Sequence, residues 1–523
     1  MPDPVGTIVA SKASVMRTED QSDVIAFLGD PATHGGHDVE RIETHGSIVF
    51  LAGQHAWKLK RAVRYDYMDF STVERRRLMC EGELRLNRRI APTLYHAVVP
   101  VTREDDGRLA ISGHGEVVDW LVAMQRFDQE ALFDRLASRN ALDPGLMAPL
   151  GRAVARLHAQ ATPRQDRGGA DNMAWVIDGN ASGLREFAAD IVQEADIRRW
   201  TDAARARLAV DTPRLERRRR DGRVRYCHGD LHLRNVVVLP EGPTLFDGIE
   251  FNEALSCIDV AYDLAFLLMD LWRRDLRWHA NAVWNAWLGE LDDLDAVPLL
   301  PLFLSCRAAV RAKTSATAAA MQPDGPGRVD LRALTHGYLA LAQRLLAPQP
   351  ARIVAIGGLS GTGKSTLARR LAPHVGAVPG AVLVRTDEVR KRLFGVHPLT
   401  HLGADAYTPA ISSVVYATVA QRAGVVVAGG HGVVVDGVCA RQEERDAIAG
   451  IAVDGGVPFT GLWLEAPESV RLSRAVERGP DASDADATVV RRQGGLTTGV
   501  ITWHRLDATR TPAQLLADAL KRL

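Results

Sequence analysis

Two short stretches of this chain set acids, amides, hydroxyls and a lysine at spacings suited to handling phosphate. The first runs Gly358-Leu359-Ser360-Gly361-Thr362-Gly363-Lys364-Ser365-Thr366. Gly358, Gly361 and Gly363 let a loop wrap its backbone N–H groups around phosphate oxygens, and the helix that follows adds a favourable dipole. In such a loop Lys364 reaches the β- and γ-phosphates of a nucleotide, the Ser365 hydroxyl binds Mg²⁺, and Thr366 completes the nucleotide contacts. The second stretch is His228-Gly229-Asp230-Leu231-His232-Leu233-Arg234-Asn235, with Phe246-Asp247-Gly248-Ile249-Glu250 shortly after it. Here Asp230 takes the proton of an acceptor hydroxyl, and Asn235 and Asp247 bind the Mg²⁺ that bridges the phosphates. The interval from Asp230 to Asn235 is that of the H-R-D-x-x-x-x-N loop.

Each stretch needs partners elsewhere. Lys58 and Lys60, in Trp57-Lys58-Leu59-Lys60, share one face of a strand, so pattern alone does not choose between them as the phosphate-binding ammonium. Lys58 is the first choice and Lys60 the reserve. Glu83 is the expected carboxylate partner, with Glu81 second, and Met124 leads into Gln125-Arg126-Phe127, where an adenine-binding edge is expected. For the glycine-rich loop, Asp387 follows the run Val382–Val384 and so stands beside the phosphates, placed to activate a substrate hydroxyl. Its bland alternative is a helix N-cap. Arg390 would hold an anionic group of the substrate, Asp436 would be the Mg²⁺-side carboxylate, and Arg474 with Arg478 would close as a lid over the transferred group. The alternative for each basic pair is a solvated helix face.

The elements that must position these residues follow from the apolar pattern. Residues 48–51 and 56–59 are short apolar runs separated by Gly53-Gln54-His55, which predicts a hairpin. A long charged helix is expected over 71–89, a strand over 117–124 and another over 224–227, directly before His228. Residues 1–23 read as a loose tail, 24–345 as one domain of strands followed mostly by helices, and 346–350 as a proline-rich linker. From 351 to 523, continuous apolar runs at 352–356, 382–384, 425–427, 433–435 and 461–464 alternate with helical segments. That spacing indicates a parallel sheet.

Composition removes several classes of function. The 523 residues are 46% hydrophobic and 24% charged, which is ordinary for globular domains and too apolar for a disordered chain. Sixty-four Lys+Arg balance sixty-four Asp+Glu, so no overall basic field points to nucleic acid or an anionic membrane. Only seven of the basic residues are lysine, which draws attention to Lys58, Lys60 and Lys364. The most apolar stretch, 260–272, is broken by Asp263 and Asp270 and reads as a buried or amphipathic helix. Cys80, Cys227, Cys257, Cys306 and Cys439 form no CxxC pair and read as free thiols, and no signal segment is evident, so a cytoplasmic protein is expected. The run Arg217–Arg220 is expected to be a solvated face at a helix end, the tryptophans at 272, 278, 284 and 287 to be core or domain-contact residues, and no zinc site is expected.

The set Lys58, Glu83, Met124 and His228-Gly-Asp230-x-His-x-x-Asn235 resembles the aminoglycoside phosphotransferase and choline kinase superfamily over roughly residues 24–345. Residues 351–523 resemble small P-loop kinases such as gluconate kinase, chloramphenicol phosphotransferase and zeta toxins. The order resembles bacterial fusions described as bifunctional aminoglycoside phosphotransferase plus ATP-binding protein. These resemblances imply an α+β, protein-kinase-like bilobal domain followed by an α/β P-loop kinase domain with a parallel sheet. They imply ATP or GTP and Mg²⁺ as cofactors, a small-molecule hydroxyl as acceptor, and no nucleic-acid or membrane partner. The competing expectation is a nucleotide-sensing module in which one domain controls the other or a partner protein.

Overall fold

The computed structural model describes residues 16–65, 68–477 and 481–523. They form two compact units: the chain up to Arg274 with Leu302–Ala347, and Asp275–Pro301 with Pro348–Leu523.

The first unit opens with antiparallel strands. β1 (Val39–Glu43), β2 (Ser47–Ala52) and β3 (His55–Lys60) run consecutively; helix α1 (Val73–Asn87) follows, then β4 (Tyr95–Arg103), β5 (Leu109–Ile111) and β6 (Glu116–Gln125). The sheet order is β1-β2-β3-β6-β4-β5. β2 is β-branched and aromatic and almost wholly buried, which suits a central strand. α1 starts where the Thr72 side chain accepts the Arg75 N–H. Because this helix is so charged, few of its residues face the core, and Glu83 is one of them.

Helices α2 (Met147–Gln160), α3 (Gly169–Phe187) and α4 (Glu194–Arg220) come next. β7 (Val224–Tyr226) leads into the His228 loop, β8 (Val236–Leu239) and β9 (Gly242–Leu245) form a hairpin, and β10 (Cys257–Asp259) pairs back onto β7. α5 (Val260–Arg273) is the apolar stretch seen in the sequence, and it is buried from Val260 through Leu271.

Three expectations need correction here. Residues 18–23 are not a loose tail: Gln21 is buried and its side chain donates to the Lys60 carbonyl and to Asp119. Arg218 is not on a solvated face; it is 1% exposed and donates through Nε and Nη2 to the two oxygens of Asp259. The first unit is also interrupted. Helix α6 (Arg277–Leu291) belongs to the second unit, because its Asn281 amide donates to the carbonyls of Pro379 and Ala381 and its Asn285 accepts the Leu383 N–H. Trp284 and Trp287 of α6 are fully buried and stacked 5.6 Å apart, as core residues. α7 (Leu300–Met321) and α8 (Pro326–Leu346) then complete the first unit.

The second unit alternates strand and helix: β11 (Ile353–Gly357), α9 (Lys364–Leu371), β12 (Val382–Arg385), α10 (Thr386–Leu393), α11 (Pro409–Ala428) and β13 (Val433–Asp436). α12 (Gln442–Gly455), β14 (Phe459–Glu465), α13 (Glu468–Val476), α14 (Ala487–Gly494), β15 (His504–Asp507) and α15 (Pro512–Leu520) follow. All five strands are parallel, in the order β12-β13-β11-β14-β15. The valines at 425–427 are not a strand but the end of α11. The buried positions Val415, Val419, Ala423 and Val427 recur every four residues, a helical period that a three-residue window hides. Among the described residues, α11 is the one helix whose length and apolarity match a membrane span, and this face of it packs inward.

Candidate active sites

The hairpin places Lys58 and Lys60 on one face of β3, and α1 presents Glu83 to both. Lys58 Nζ lies 2.7 Å from Glu83 Oε1 and 2.6 Å from Asp247 Oδ1. Lys60 Nζ lies 2.7 Å from Glu83 Oε2 and 2.5 Å from Glu250 Oε1, with the Phe70 ring 4.9 Å away. Glu83 is fully buried, so each of its oxygens has one lysine. Burial alone would raise its pKa, but the two ammonium groups outweigh that and bring it down to about 2. Burial likewise opposes the charge on Lys58, and Asp247 and Glu83 overcome it and hold the pKa well above the ordinary lysine value. The geometry thus separates the two lysines: Lys58 meets Asp247, and Lys60 sits deeper on Glu250. Glu81, the reserve partner, pairs instead with Arg77.

The loop after β7 is fixed by its neighbours. His228 Nδ1 accepts the Asp230 N–H at 3.3 Å and its Nε2 faces the Phe246 carbonyl at 2.8 Å, which defines a neutral ring protonated on Nε2. Burial lowers the pKa of this histidine, consistent with the neutral form. Asn235 Nδ2 donates to the Asp230 carbonyl at 2.9 Å and to its Oδ2 at 3.2 Å, so the amide oxygen is the atom Asn235 offers a cation. The Phe246 N–H donates to the Asn235 carbonyl, which sets Asp247 next to the loop. Asp247 has φ +62°, a conformation costly for a non-glycine residue and often retained at sites. Its N–H donates to the Tyr95 hydroxyl at 3.1 Å, and the neighbouring Gly248 N–H donates to Asn87 Oδ1 at 2.8 Å. Asn235 and Asp247 supply hard oxygen donors, a set that fits Mg²⁺.

Met124 lies near the end of β6, buried against Ala56 and Tyr95 in the sheet. The chain after it passes Phe127, whose ring meets Phe246 edge-on at 5.2 Å, one residue before Asp247. His45, in the turn between β1 and β2, is near enough to Asp230 and Asp247 for both to act on its charge; burial dominates and holds its pKa at about 4. His158, Cys227 and Asp263 bring one ligand atom each within 4.8 Å of one another. Asp263 already accepts from His158 and two backbone N–H groups, and burial pushes the Cys227 thiol well up, so this set does not fit a metal.

In the second unit the glycine-rich loop joins β11 to α9 and borders a cavity of about 1020 Å³. Gly361 has φ +83°, and a Cβ there would lie 2.4 Å from the Arg471 carbonyl oxygen, so only glycine fits. At Gly358, with φ +138°, a Cβ would lie 2.6 Å from the Leu464 carbonyl oxygen. Gly363 caps α9, and Lys364 Nζ rests 3.1 Å from the Leu359 carbonyl inside the loop. Ser365, Thr366, Asp387, Arg390, Asp436 and Arg474 all line the same cavity. Asp387 falls in the first turn of α10, and burial raises its pKa above the ordinary carboxylate value despite Arg385 and Lys364 nearby. Arg390 is buried, donates to the Ala406 carbonyl at 2.5 Å and stacks on Tyr407 at 4.5 Å, while its Nε has no hydrogen-bond partner. Arg474 Nη1 reaches the Thr362 carbonyl at 3.5 Å. Arg478 lies outside the described residues.

Ser365 and Asp436, expected to serve Mg²⁺, both accept hydrogen bonds from Arg385 instead. With that guanidinium in place the pair does not fit a divalent cation. Sequence reasoning assigned no role to Arg385, Glu250, Tyr95 or Asn87. The one available signal for Arg385 was a charge closing a buried apolar strand.

Two stretches of the chain are similar to known families. Residues 68–300 match the family model described as the phosphotransferase enzyme family, and residues 353–496 match one described as an AAA domain. The chain is a kinase-like phosphotransferase domain followed by a P-loop kinase domain with a five-stranded parallel sheet. It is 28% identical over 477 residues to an uncharacterized protein of Mycobacterium tuberculosis, covering 89% of this chain and 91% of that one. It is 28% identical over 120 residues to the adenylyl-sulfate kinase of Myxococcus xanthus, covering 23% of this chain and 60% of that protein. A solved choline/ethanolamine kinase family protein from Mesorhizobium loti is 16% identical, with a TM-score of 0.37, covering 62% of this chain and 94% of that one.

Proposed function

We propose that the chain is a two-site phosphotransferase that moves the γ-phosphate of ATP or GTP to hydroxyl groups of small molecules. The observation that carries this reading is the linked set Glu83–Lys58–Asp247 beside Asp230 and Asn235, with the glycine-rich loop and Asp387 facing a second cavity. At the first site Asp230 orients the acceptor hydroxyl and takes its proton, while Lys58, held by Glu83, binds the phosphates. Asn235 and Asp247 would hold Mg²⁺, which supplies charge neutralisation at the phosphates. Because phosphoryl transfer asks little covalent chemistry of the protein, positioning and charge carry the rate.

At the second site the loop N–H groups and Lys364 cradle the nucleotide. Asp387, raised in pKa by burial, is a stronger base than an exposed aspartate and takes the proton of the second acceptor. Arg390, which lines the cavity, holds an anionic group of that acceptor, and Arg474 stands over the phosphate loop. The acceptors are hydroxyl-bearing metabolites or aminoglycosides.

Mass-spectrometric detection of phosphorylated products tests this, using sugars, amino alcohols, nucleosides and aminoglycosides with ATP or GTP. Wild type is compared with Asp230→Asn and Asp387→Asn. A product lost in one variant only assigns an acceptor to that site. Absence of any product, with nucleotide bound at both sites, replaces this reading with nucleotide sensing.

A further inference from the structure

Arg385 ends β12 with its side chain 3% exposed. Its Nε donates to Asp436 Oδ2 at 3.1 Å, its Nη2 to Ser365 Oγ at 3.0 Å and to Asp481 Oδ1 at 2.6 Å, and its Nη1 to Glu388 Oε1 at 2.8 Å. Ser365 and Asp436 are the hydroxyl and the carboxylate that a phosphate loop would set around a divalent cation. A guanidinium that donates to both stands where that charge belongs.

The fold builds this arrangement at two levels. β12 and β13 pair in parallel with Arg385 opposite Asp436, so strand register puts the two side chains together. Asp481 is anchored from the other side by Arg369 at 2.6 Å, and its carboxyl lies far below the ordinary range because these two arginines outweigh its burial. A planar, permanently charged fork is the side chain that can reach several acceptors at once, which a lysine cannot.

We propose that Arg385 is the resident cation of the second site, supplying from the protein the positive charge that Ser365 and Asp436 would otherwise gather from a divalent ion. The proposal rests on the nucleotide-site reading of the phosphate loop. Two consequences follow. Nucleotide binds the second domain without a divalent ion, with Lys364 facing its phosphates and Arg385 neutralising Asp436 behind Ser365. A divalent ion enters only by displacing Nη2 from Ser365.

The test is binding of fluorescently tagged ADP to the full chain, in Mg²⁺ and in EDTA, with Lys364→Ala identifying the signal of the second site. Wild type is expected to keep its Lys364-dependent binding in EDTA. Arg385→Met is expected to bind about tenfold or more weakly in EDTA, because Asp436 and Asp481 are then left unneutralised near the phosphates, and to regain affinity in Mg²⁺. Arg385→Lys, which keeps the charge, is expected to fall between the two and carries the test if the methionine variant does not fold. Lys364-dependent binding that vanishes from wild type in EDTA overturns the proposal, as does Arg385→Met binding like wild type in EDTA. No Lys364-dependent binding in either condition overturns the nucleotide-site reading itself, which is a separate result.

Discussion

The carboxylate of Asp263 accepts the backbone N–H of Gly229 at 2.8 Å, tying the buried helix α5 to the loop that carries Asp230. Its second oxygen takes the His228 N–H at 3.2 Å and His158 Nε2 at 3.0 Å. Burial by itself would raise this carboxyl, but the hydrogen bond from His158 and the charges nearby outweigh it and hold the pKa below the ordinary value. Asp263→Ala leaves these buried donors without their acceptor, at a cost of about 3 kcal/mol or more. Urea unfolding should show that loss together with lost turnover at the first site, with turnover at the second site as the control. The sign with pH follows from the lowered carboxyl. Its stabilisation is present above the unfolded carboxylate pKa and is lost as the pH falls through the folded value, so wild type should lose more stability than Asp263→Ala on acidification below about pH 4.

Lys58 and Lys60 differ in what their removal leaves behind. Lys60→Met strands Glu250 and one oxygen of Glu83 in the interior, and unpaired buried charge of this kind costs about 3–5 kcal/mol. Lys58→Met leaves Glu83 paired with Lys60 and releases Asp247, whose side chain is 44% exposed, so its effect on folding is smaller. Its effect on the first reaction is the larger one, a fall in kcat/KM of about a hundredfold or more from loss of a phosphate-facing charge. Denaturant midpoints and steady-state kinetics on both variants check the two halves of this prediction. Equal stability losses would refute the division of labour.

Much of this was legible in the amino-acid sequence where chemistry and local pattern coincide. The phosphate loop sits between a buried apolar strand and a helix, and His228 follows β7, as their spacing implied. What the sequence hid depends on long-range register. Lys58 and Lys60 became distinct only when α1 and the Asp247–Glu250 segment closed on them from 23 to 190 residues away. Arg218 looked like one of four equivalent surface charges, and only its facing of Asp259 on the neighbouring element makes it buried. The membership of α6 in the second unit depends on amide hydrogen bonds from Asn281 and Asn285, and neither residue stands out in a helix of ordinary polarity.

His45 offers a pH test of the turn above the first site. Burial lowers its pKa from 6.5 to about 4, so the folded protein keeps it neutral where the unfolded chain would protonate it. The unfolded state therefore binds more protons between those values, and stability falls as the pH drops from about 6.5 toward 4. His45→Gln removes this contribution. The wild-type urea midpoint should fall further between pH 7.5 and pH 5 than that of His45→Gln, and parallel profiles would refute a neutral His45.

Gly361 gives the sharpest steric prediction. Alanine there would need both the left-handed φ of +83° and a Cβ only 2.4 Å from the Arg471 carbonyl oxygen. The obstruction is backbone rather than a flexible side-chain tip, so the loop has to move to relieve it. That movement pulls the N–H groups of Ser360–Gly363 away from the positions that cradle phosphate. Gly361→Ala should therefore abolish Lys364-dependent nucleotide binding. The β11–α9 core beneath the loop, Val354, Ile356, Leu367 and Leu371, does not touch the substituted atom and should keep the second unit folded. Circular dichroism beside tagged-ADP binding separates these effects, and a variant that binds nucleotide like wild type would show that the loop is not held against α13.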